Sequence, residues 1–386
     1  MPDLDAPIWL LIVHGLTLLF AIASLVATLL PLLKEEAWWI RVFDFPRLQI
    51  VFVAMATLGV GFVLGWHQLP GYWGLGVLGA LAVAILYQLF RIVPYTPIVR
   101  KQVGDSTLKD ARRHMSLAVM NVLQYNKQAP KALQVLQETD PDLIIAVETD
   151  RWWQEQLRPL EETHPYICHE PLDNTYGMLF YSRLPLRDAQ IKYLLDDDIP
   201  SLHTYVQLPD GHSWIRLFGL HPKPPAPQEA ETSTRRDAEL LIVGKEIESK
   251  NEPTIVFGDM NDVAWSHTSE LFRRVSGLLD PRVGRGLLPT FHAEYTLMRW
   301  PLDHVFVSPH FKVDAIERLP YVGSDHFPIY IKVSYEPHDK AEQEENQEQA
   351  DAEDHQEATE KIQKGFQEEA EEEHKERQEK QEATSS

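Results

Sequence analysis

The alternation of apolar and polar positions changes character twice along the chain. Ile8 to Leu33 is an apolar run whose only ionisable side chain is His14, longer than the roughly 20 residues a helix needs to cross a hydrocarbon core. Two further runs, Ile50 to Trp66 and Tyr72 to Ile92, are joined by the link HQLPG. Such uninterrupted apolarity leaves no polar face to turn to water. Trp38, Trp39, Trp66, Tyr72 and Trp73 fall at the ends of these runs, where amphipathic rings settle at a membrane interface. The pattern predicts a membrane segment over 1–100 with three transmembrane helices, about 8–33, 50–66 and 72–92. A cleavable signal peptide would account for one run and leave the other two unexplained.

After a connecting stretch at 101–114, the period shifts to that of strands and helices. MSLAVMNVL, PDLIIAVE and YGMLFYS are apolar strand runs, and HTYVQLPDGHSWIRLFGLH reads as a hairpin around Pro209, Asp210 and Gly211. TIVFGDMN, RWPLDHVFVS and HFPIYIKVSY complete the strands. Helical spacing marks Lys131 to Glu138 and Thr234 to Ser249. Hairpins mixed with βα units predict, over 115–335, two packed mixed sheets flanked by helices, a four-layer α/β sandwich and not a doubly wound parallel sheet. The tail, 336–386, is rich in Glu and Gln and has too few apolar residues for a core of its own, which predicts disorder or a charged single helix.

Charge follows the same division. The tail carries 19 Asp and Glu against 6 Lys and Arg, hence −13 of the chain's −21. The rest has no broad basic footprint of the kind duplex DNA requires. Cys168 is the only cysteine, so neither an intrachain disulfide nor a thiolate cluster can form. Lys34, Arg41 and Arg47 between the first two runs, with Arg91, Arg100 and Lys101 after the third and Asp3 and Asp5 at the start, place those loops in the cytoplasm by positive-inside logic. Glu35, Glu36 and Asp44 dilute that signal, so the face on which the globular part lies stays open. The expected location is a bacterial inner membrane.

The informative polar residues sit at strand ends. Asn121 closes the first strand, Glu148 the second and His221 the hairpin; Asp259 and Asn261 close TIVFGDMN, Asp303 lies inside its strand, and Asp325 and His326 precede the last. Carboxylate and amide oxygens are the donors Mg²⁺ and Mn²⁺ prefer, and imidazoles beside them handle protons or stabilise charge on phosphorus. Each residue also has a plainer reading. Asn121 and Asn261 suit turns, Glu148 lies near a helix start, and His221 before Pro222 fits a surface bend. Asp303, in an apolar strand, needs a partner whatever its role.

Taken in order, VMNVL, IAVE, GLHP, GDMN, LDHVFVS and GSDHFP resemble the endonuclease/exonuclease/phosphatase superfamily, and its membrane-attached bacterial members in particular. The resemblance covers about 115–335. It implies a phosphoester hydrolase in which Glu148, assisted by Asn121 and with Asp325 in its inner or outer shell, binds Mg²⁺ or Mn²⁺. Asp259 would orient or deprotonate the attacking water, Asn261 would hold phosphate or nucleophile, and His326 would stabilise the phosphoryl charge. Asp303 would orient His326, and His221 would be a second imidazole on the phosphate or the leaving-group acid. Some nucleases of the family carry an acid two residues after the first Asn; Leu123 stands there, which favours one ion. Membrane attachment and low positive charge point to a lipid headgroup or small phosphoester as substrate, with nucleic acid as the remaining class. A different reading, a catalytically silent binding or scaffold protein acting through its membrane helices and acidic tail, predicts an incomplete acid, amide and histidine set, whereas this set is complete.

Overall fold

The computed structural model describes residues 7–227 and 229–385; Asp3 and Asp5 lie outside them. The first apolar run forms α1 (Ile8–Leu29), prolonged by a 3-10 turn to Leu33, followed by α2 (Trp38–Arg41), α3 (Arg47–Val63) and α4 (Trp73–Ile92). Ile8–Leu33 and Trp73–Tyr95 are each long and apolar enough to cross a membrane. The 17-residue α3 reaches that length only together with Trp38–Asp44, from which it is bent by 74°. The count is therefore two, or three if the bent pair crosses as one, where the apolar pattern predicts three. Pro46 stands at the bend, and its own backbone leaves the helical region, with φ −83° and ψ 35°. Ala21, Ala54 and Leu81 meet in the centre of the three-helix group.

The remaining chain runs β1 (His114–Asn121), α5 (Ala129–Thr139), β2 (Leu143–Val147), α6 (Arg151–Leu157), β3 (Tyr166–Glu170), β4 (Met178–Ser182), β5 (Leu186–Tyr193), β6 (Pro200–Gln207), β7 (Trp214–Leu220), α7 (Thr234–Glu248), β8 (Thr254–Asp259), α8 (His267–Ser276), β9 (Asp303–Val307), β10 (Phe311–Arg318), β11 (Ile329–Tyr335), α9 (Lys340–Glu344) and α10 (Ala352–Ser385). The strands form two mixed sheets, ordered β10-β11-β1-β2-β4-β3 and β5-β6-β7-β8-β9. The parallel pairs are β1 with β2 and β7 with β8.

Strand alternation builds the layers. Met115, Leu117 and Val119 of β1, Leu143, Ile145 and Val147 of β2, Ile215 and Leu217 of β7, Ile255 and Phe257 of β8, and Val305 and Val307 of β9 fill the core between the sheets. Their neighbours point outward: Ala118, Met120, Ile144 and Ala146 pack under α5 and α6, and Phe218, Leu220, Val256 and Phe306 under α7 and α8. This is the expected four-layer sandwich. At Gly219 the sheets approach so closely that a Cβ would stand 2.6 Å from Ile145 Cδ1. Val103, from the stretch between membrane segment and sandwich, is buried in the inter-sheet core.

Three strands lie outside the runs legible in the sequence: β3, β5 and β10. The last two apolar runs are β9 and β11, with β10 between them. The tail is helical from Ala352, and α10 lies against α7 and α8, where Ala358 joins Leu241, Leu271 and Val275 in a buried cluster.

Candidate active site

The inward parity of the strands continues past their last core residues. Asn121 follows Val119, His221 follows Gly219, Asp259 follows Phe257, and Asp303 precedes Val305, so all four point between the sheets at one end of the sandwich. Alternation alone would turn Glu148 away, since Val147 faces inward. Its backbone adopts the left-handed region instead, with φ 57°, and this brings the carboxylate back to Asn121. Asn261 uses the same device, with φ 50°, to fold the GDMN turn over Asp259. Gly258, at φ 140°, runs so close to β7 that a Cβ would meet the Leu220 carbonyl at 1.9 Å; no side chain fits there.

The groups then form one connected network. Asn121 Nδ2 donates to Glu148 Oε1 at 2.7 Å and to Asp259 Oδ2 at 3.0 Å. Its own Oδ1 accepts from the Leu123 amide at 2.9 Å. Asp259 Oδ1 accepts from the Asn261 amide at 3.0 Å. His326 bridges two carboxylates, with Nε2 3.5 Å from Asp259 Oδ2 and Nδ1 2.8 Å from Asp303 Oδ2. Asn261 Nδ2 donates to the Pro222 carbonyl at 3.0 Å, which ties the GDMN turn to the residue after His221. His221 is buried, its Nδ1 has no hydrogen-bond partner among the described residues, and its ring lies 5.5 Å from that of Tyr176. Asp325 is half-buried, and its charge is felt by both Glu148 and His326. The structure thus gathers all eight residues singled out in the sequence at one end of the sandwich.

Electrostatics divides them. Burial pushes the Glu148 carboxyl up to about 7, against the opposing Asn121 hydrogen bond and His326 charge. Burial also works against charging His326, but the carboxylates of Asp303 and Asp259 overcome it and hold the imidazole up at about 10. Burial raises Asp259 too, yet the neighbouring His326 cation leaves it below the usual carboxylate range. Asp303, with burial as the largest influence, stays above that range despite His326. Desolvation brings His221 down to about 4 and keeps it neutral. One imidazole is a cation between two acids; the other is neutral.

Asp259, Asp303 and His326 each offer a ligand atom, and these atoms lie within 4.8 Å of one another. A protonated imidazole has no lone pair for a metal, however, and that geometry is the one an ion-paired triad requires. The oxygens of Glu148, Asn121 and Asp325 are the better match to a hard divalent cation. Burial disfavours the ionised Glu148 carboxyl despite the nearby His326 charge, and a divalent cation beside it would favour that form.

Several contributors carried no signal in the sequence. The Gln124 amide reaches Glu148 Oε2 at 3.4 Å, Thr290 Oγ1 accepts from the Asp303 amide at 3.2 Å, and the Phe291 ring lies 5.0 Å from that of His326. Arg236, on α7 and fully buried, donates from Nη1 to the Asn261 carbonyl at 2.8 Å. These act through backbone groups or ring contacts that only the tertiary fold defines. A cavity of about 510 Å³ between α4 and α8, lined by Arg91, Tyr95, Arg100 and Arg273, contains none of the site groups.

Residues 118–326 match the sequence profile of the Endonuclease/Exonuclease/phosphatase family. The chain belongs to that family. A search of curated proteins returns no match. Among solved structures of the same fold, TDP2 of D. rerio, in complex with a single-strand DNA product, is 18% identical, with a TM-score of 0.48 over 57% of this chain and 99% of that one. A mannosyl-6-phosphatase of Bacteroides thetaiotaomicron is 19% identical, with a TM-score of 0.46 over 57% and 100%. An endonuclease/exonuclease/phosphatase family protein, also of Bacteroides thetaiotaomicron, is 17% identical, with a TM-score of 0.48 over 58% and 98%. Family membership makes the sandwich a phosphoesterase fold.

Proposed function

We propose that this chain is a membrane-anchored hydrolase that uses one Mg²⁺ or Mn²⁺ ion and water to cleave phosphoesters, with Glu148, Asn121 and Asp325 holding the ion. The observation that carries this reading is the bridging position of His326 between Asp303 and Asp259, with the buried Glu148 joined to Asp259 through Asn121. When bound, the divalent ion neutralises phosphoryl charge and polarises the ester.

The chain's own residues supply the rest. Asp259, kept ionised by the adjacent imidazolium, accepts a hydrogen bond from the attacking water and orients its lone pair toward phosphorus. Asn261, fixed by Pro222 and Arg236, holds the water or a phosphoryl oxygen on the other side of the turn. His326 stays protonated across the neutral range and donates from Nε2 to the negative charge that builds on the phosphoryl oxygens. Asp303 accepts from Nδ1 and fixes the orientation of the His326 ring, as a carboxylate does for an imidazole in other triads. His221, neutral, serves as a hydrogen-bond donor to a phosphoryl oxygen; its lowered pKa makes it a poor store of a proton for the leaving group.

The test is hydrolysis of bis(4-nitrophenyl) phosphate by the full chain in detergent or nanodiscs with Mg²⁺ or Mn²⁺. Asp259→Asn preserves shape and removes the orienting charge, and kcat is expected to fall by roughly 10²–10⁴. An Asp259→Asn protein as active as the parent would overturn the assignment. The anchoring reading is checked separately, by whether the protein partitions with lipid after alkaline extraction.

A further inference from the structure

The strand ends that carry the active site face the membrane helices. The loop after β8 runs from Asp259 to Trp265, whose indole donates to the Asp44 carbonyl at 2.7 Å. Tyr95, at the end of the last span, donates to the Ala264 carbonyl at 2.7 Å. On the other side of the cleft a second loop, 291–300, makes a closer connection. Gln49, in the first turn of α3, donates to the Leu297 carbonyl at 2.6 Å. From there a row of rings leads inward: Phe45 lies 5.7 Å from Trp300, Trp300 6.1 Å from Phe291, and Phe291 5.0 Å from His326. Three contacts join the start of a membrane helix to the reacting imidazole.

The tip of this loop has the wrong surface for water. Tyr295 is 58% exposed, Leu297 83% and Met298 52%, three large apolar side chains within four residues, on the loop that Gln49 of α3 holds. Isolated exposed apolar residues need no explanation, but a contiguous patch continuous with membrane helices does. Charge agrees with the same occupant. Arg299 and Arg318 lie against the Phe327 ring at 5.1 and 4.2 Å, and the hydrogen bonds they donate go to neutral backbone carbonyls, those of Ala293 at 2.9 Å and Pro289 at 3.2 Å. In a chain of net charge −21, two cations beside an apolar tip suit an anionic lipid surface. Glu294, the acid of the loop, is held by the Tyr321 hydroxyl at 3.0 Å.

We propose that Tyr295–Met298 is a membrane-inserting lip of the active site, which opens the cleft onto the headgroup layer of the bilayer crossed by the protein's own helices, so that the phosphoesters hydrolysed are those borne by membrane lipids. This rests on the anchored-phosphoesterase reading above and adds the substrate class. An extended water-soluble polymer would have to approach between the lip and the bilayer. A lipid headgroup reaches the same position by lateral diffusion.

Two measurements on the full chain in phosphatidylethanolamine/phosphatidylglycerol nanodiscs test it. Cys168 is the only cysteine, so Cys168→Ser with Leu297→Cys carries one environment-sensitive NBD label on the lip. Cys168→Ser with His212→Cys carries it on the β6–β7 turn, at the strand ends opposite the site. The lip label is expected to be blue-shifted and quenched by doxyl-labelled lipid, and the His212 position unaffected; equal behaviour at the two positions would overturn the proposal, whether or not the enzyme turns anything over. Second, Leu297→Asp with Met298→Asp is expected to reduce hydrolysis of hexadecyl 4-nitrophenyl phosphate in the nanodisc about ten-fold or more, from lost apolar burial, and to leave bis(4-nitrophenyl) phosphate hydrolysis unchanged. Equal effects on both esters, or none on either, would contradict a lipid-facing lip. If the parent hydrolyses neither ester while the label is still quenched, the lip stands and the hydrolase reading fails.

Discussion

At Glu148 a left-handed backbone and a buried carboxyl fall on one residue. Its left-handed backbone interrupts the strand parity that would have turned it outward, and burial pushes its carboxyl up to about 7. A carboxyl whose folded pKa lies above its unfolded value destabilises the folded state once ionised. The penalty is absent well below 4.5, grows as pH rises through about 7, and is then fully present. Glu148→Gln removes that penalty and the charge a divalent ion would bind. In chelator, the variant is therefore expected to melt at a higher temperature than the parent at pH 8, with the difference vanishing toward pH 4.5. The Mg²⁺ concentration for half-maximal hydrolysis should rise by roughly ten-fold or more. A variant that melts lower than the parent at pH 8 would mean the carboxylate is stabilised by partners other than a cation. The eight polar positions were legible as an ordered set because most of them fall at the ends of apolar strand runs, whereas each alone also had a plainer reading. The Arg236 contact to the Asn261 carbonyl was not, since an arginine in the first turn of a helix looks like any solvated one.

At the scale of elements, the strands that the sequence concealed share a position. β10 and β3 are the two edges of one sheet, and β5 is an edge of the other. FKVDAIER and LRDAQIKY carry charges throughout, as edge strands do to avoid pairing with other chains, so their alternation is too dilute to read. The tail was ambiguous for a different reason: composition measures the capacity to form a core, and α10 borrows one from α7 and α8. Lys361 of α10 is buried between Glu36, at 2.8 Å, and Asp237, at 3.0 Å. Asp237 pairs with Arg236 at 2.8 Å, and Arg236 reaches the Asn261 carbonyl. The tail, the loop after α1 and the GDMN turn therefore share one buried ionic network.

Removing one partner of a buried pair leaves an uncompensated charge. Lys361→Met is expected to cost about 3 kcal/mol, the lower end for such losses because Asp237 keeps Arg236, and to lower kcat through the displaced Asn261 turn. Thermal melts and initial rates measure the two effects; an unchanged melting temperature would show that the network contributes nothing. Further along α10, Glu357 is held down at about 2 by its hydrogen bond to His267, against opposing burial. A depressed carboxyl stabilises above its unfolded pKa and loses that contribution as pH falls toward the folded one. The difference in melting temperature between the parent and Glu357→Gln should thus be constant near neutrality and shrink between pH 4.5 and about 2.

The whole molecule is asymmetric in both apolarity and charge. Its apolar helices and the strand ends that carry the acid, amide and imidazole cluster lie together, and much of its negative charge is in the tail helix against α7. That arrangement follows from contacts hundreds of residues apart, such as Lys361 with Glu36 and Gln49 with Leu297, and no local pattern encodes them. The account as a whole stands on water attacking phosphorus in the cleft lined by Glu148, Asp259 and His326. The most direct measurement is cation-dependent cleavage of bis(4-nitrophenyl) phosphate by the full chain in ¹⁸O-labelled water. The account predicts label in the phosphate-containing product, formation of that product only with Mg²⁺ or Mn²⁺, and its loss in Asp259→Asn. Product formed at the parental rate in chelator and in Asp259→Asn, or label appearing in the released 4-nitrophenol, would contradict it.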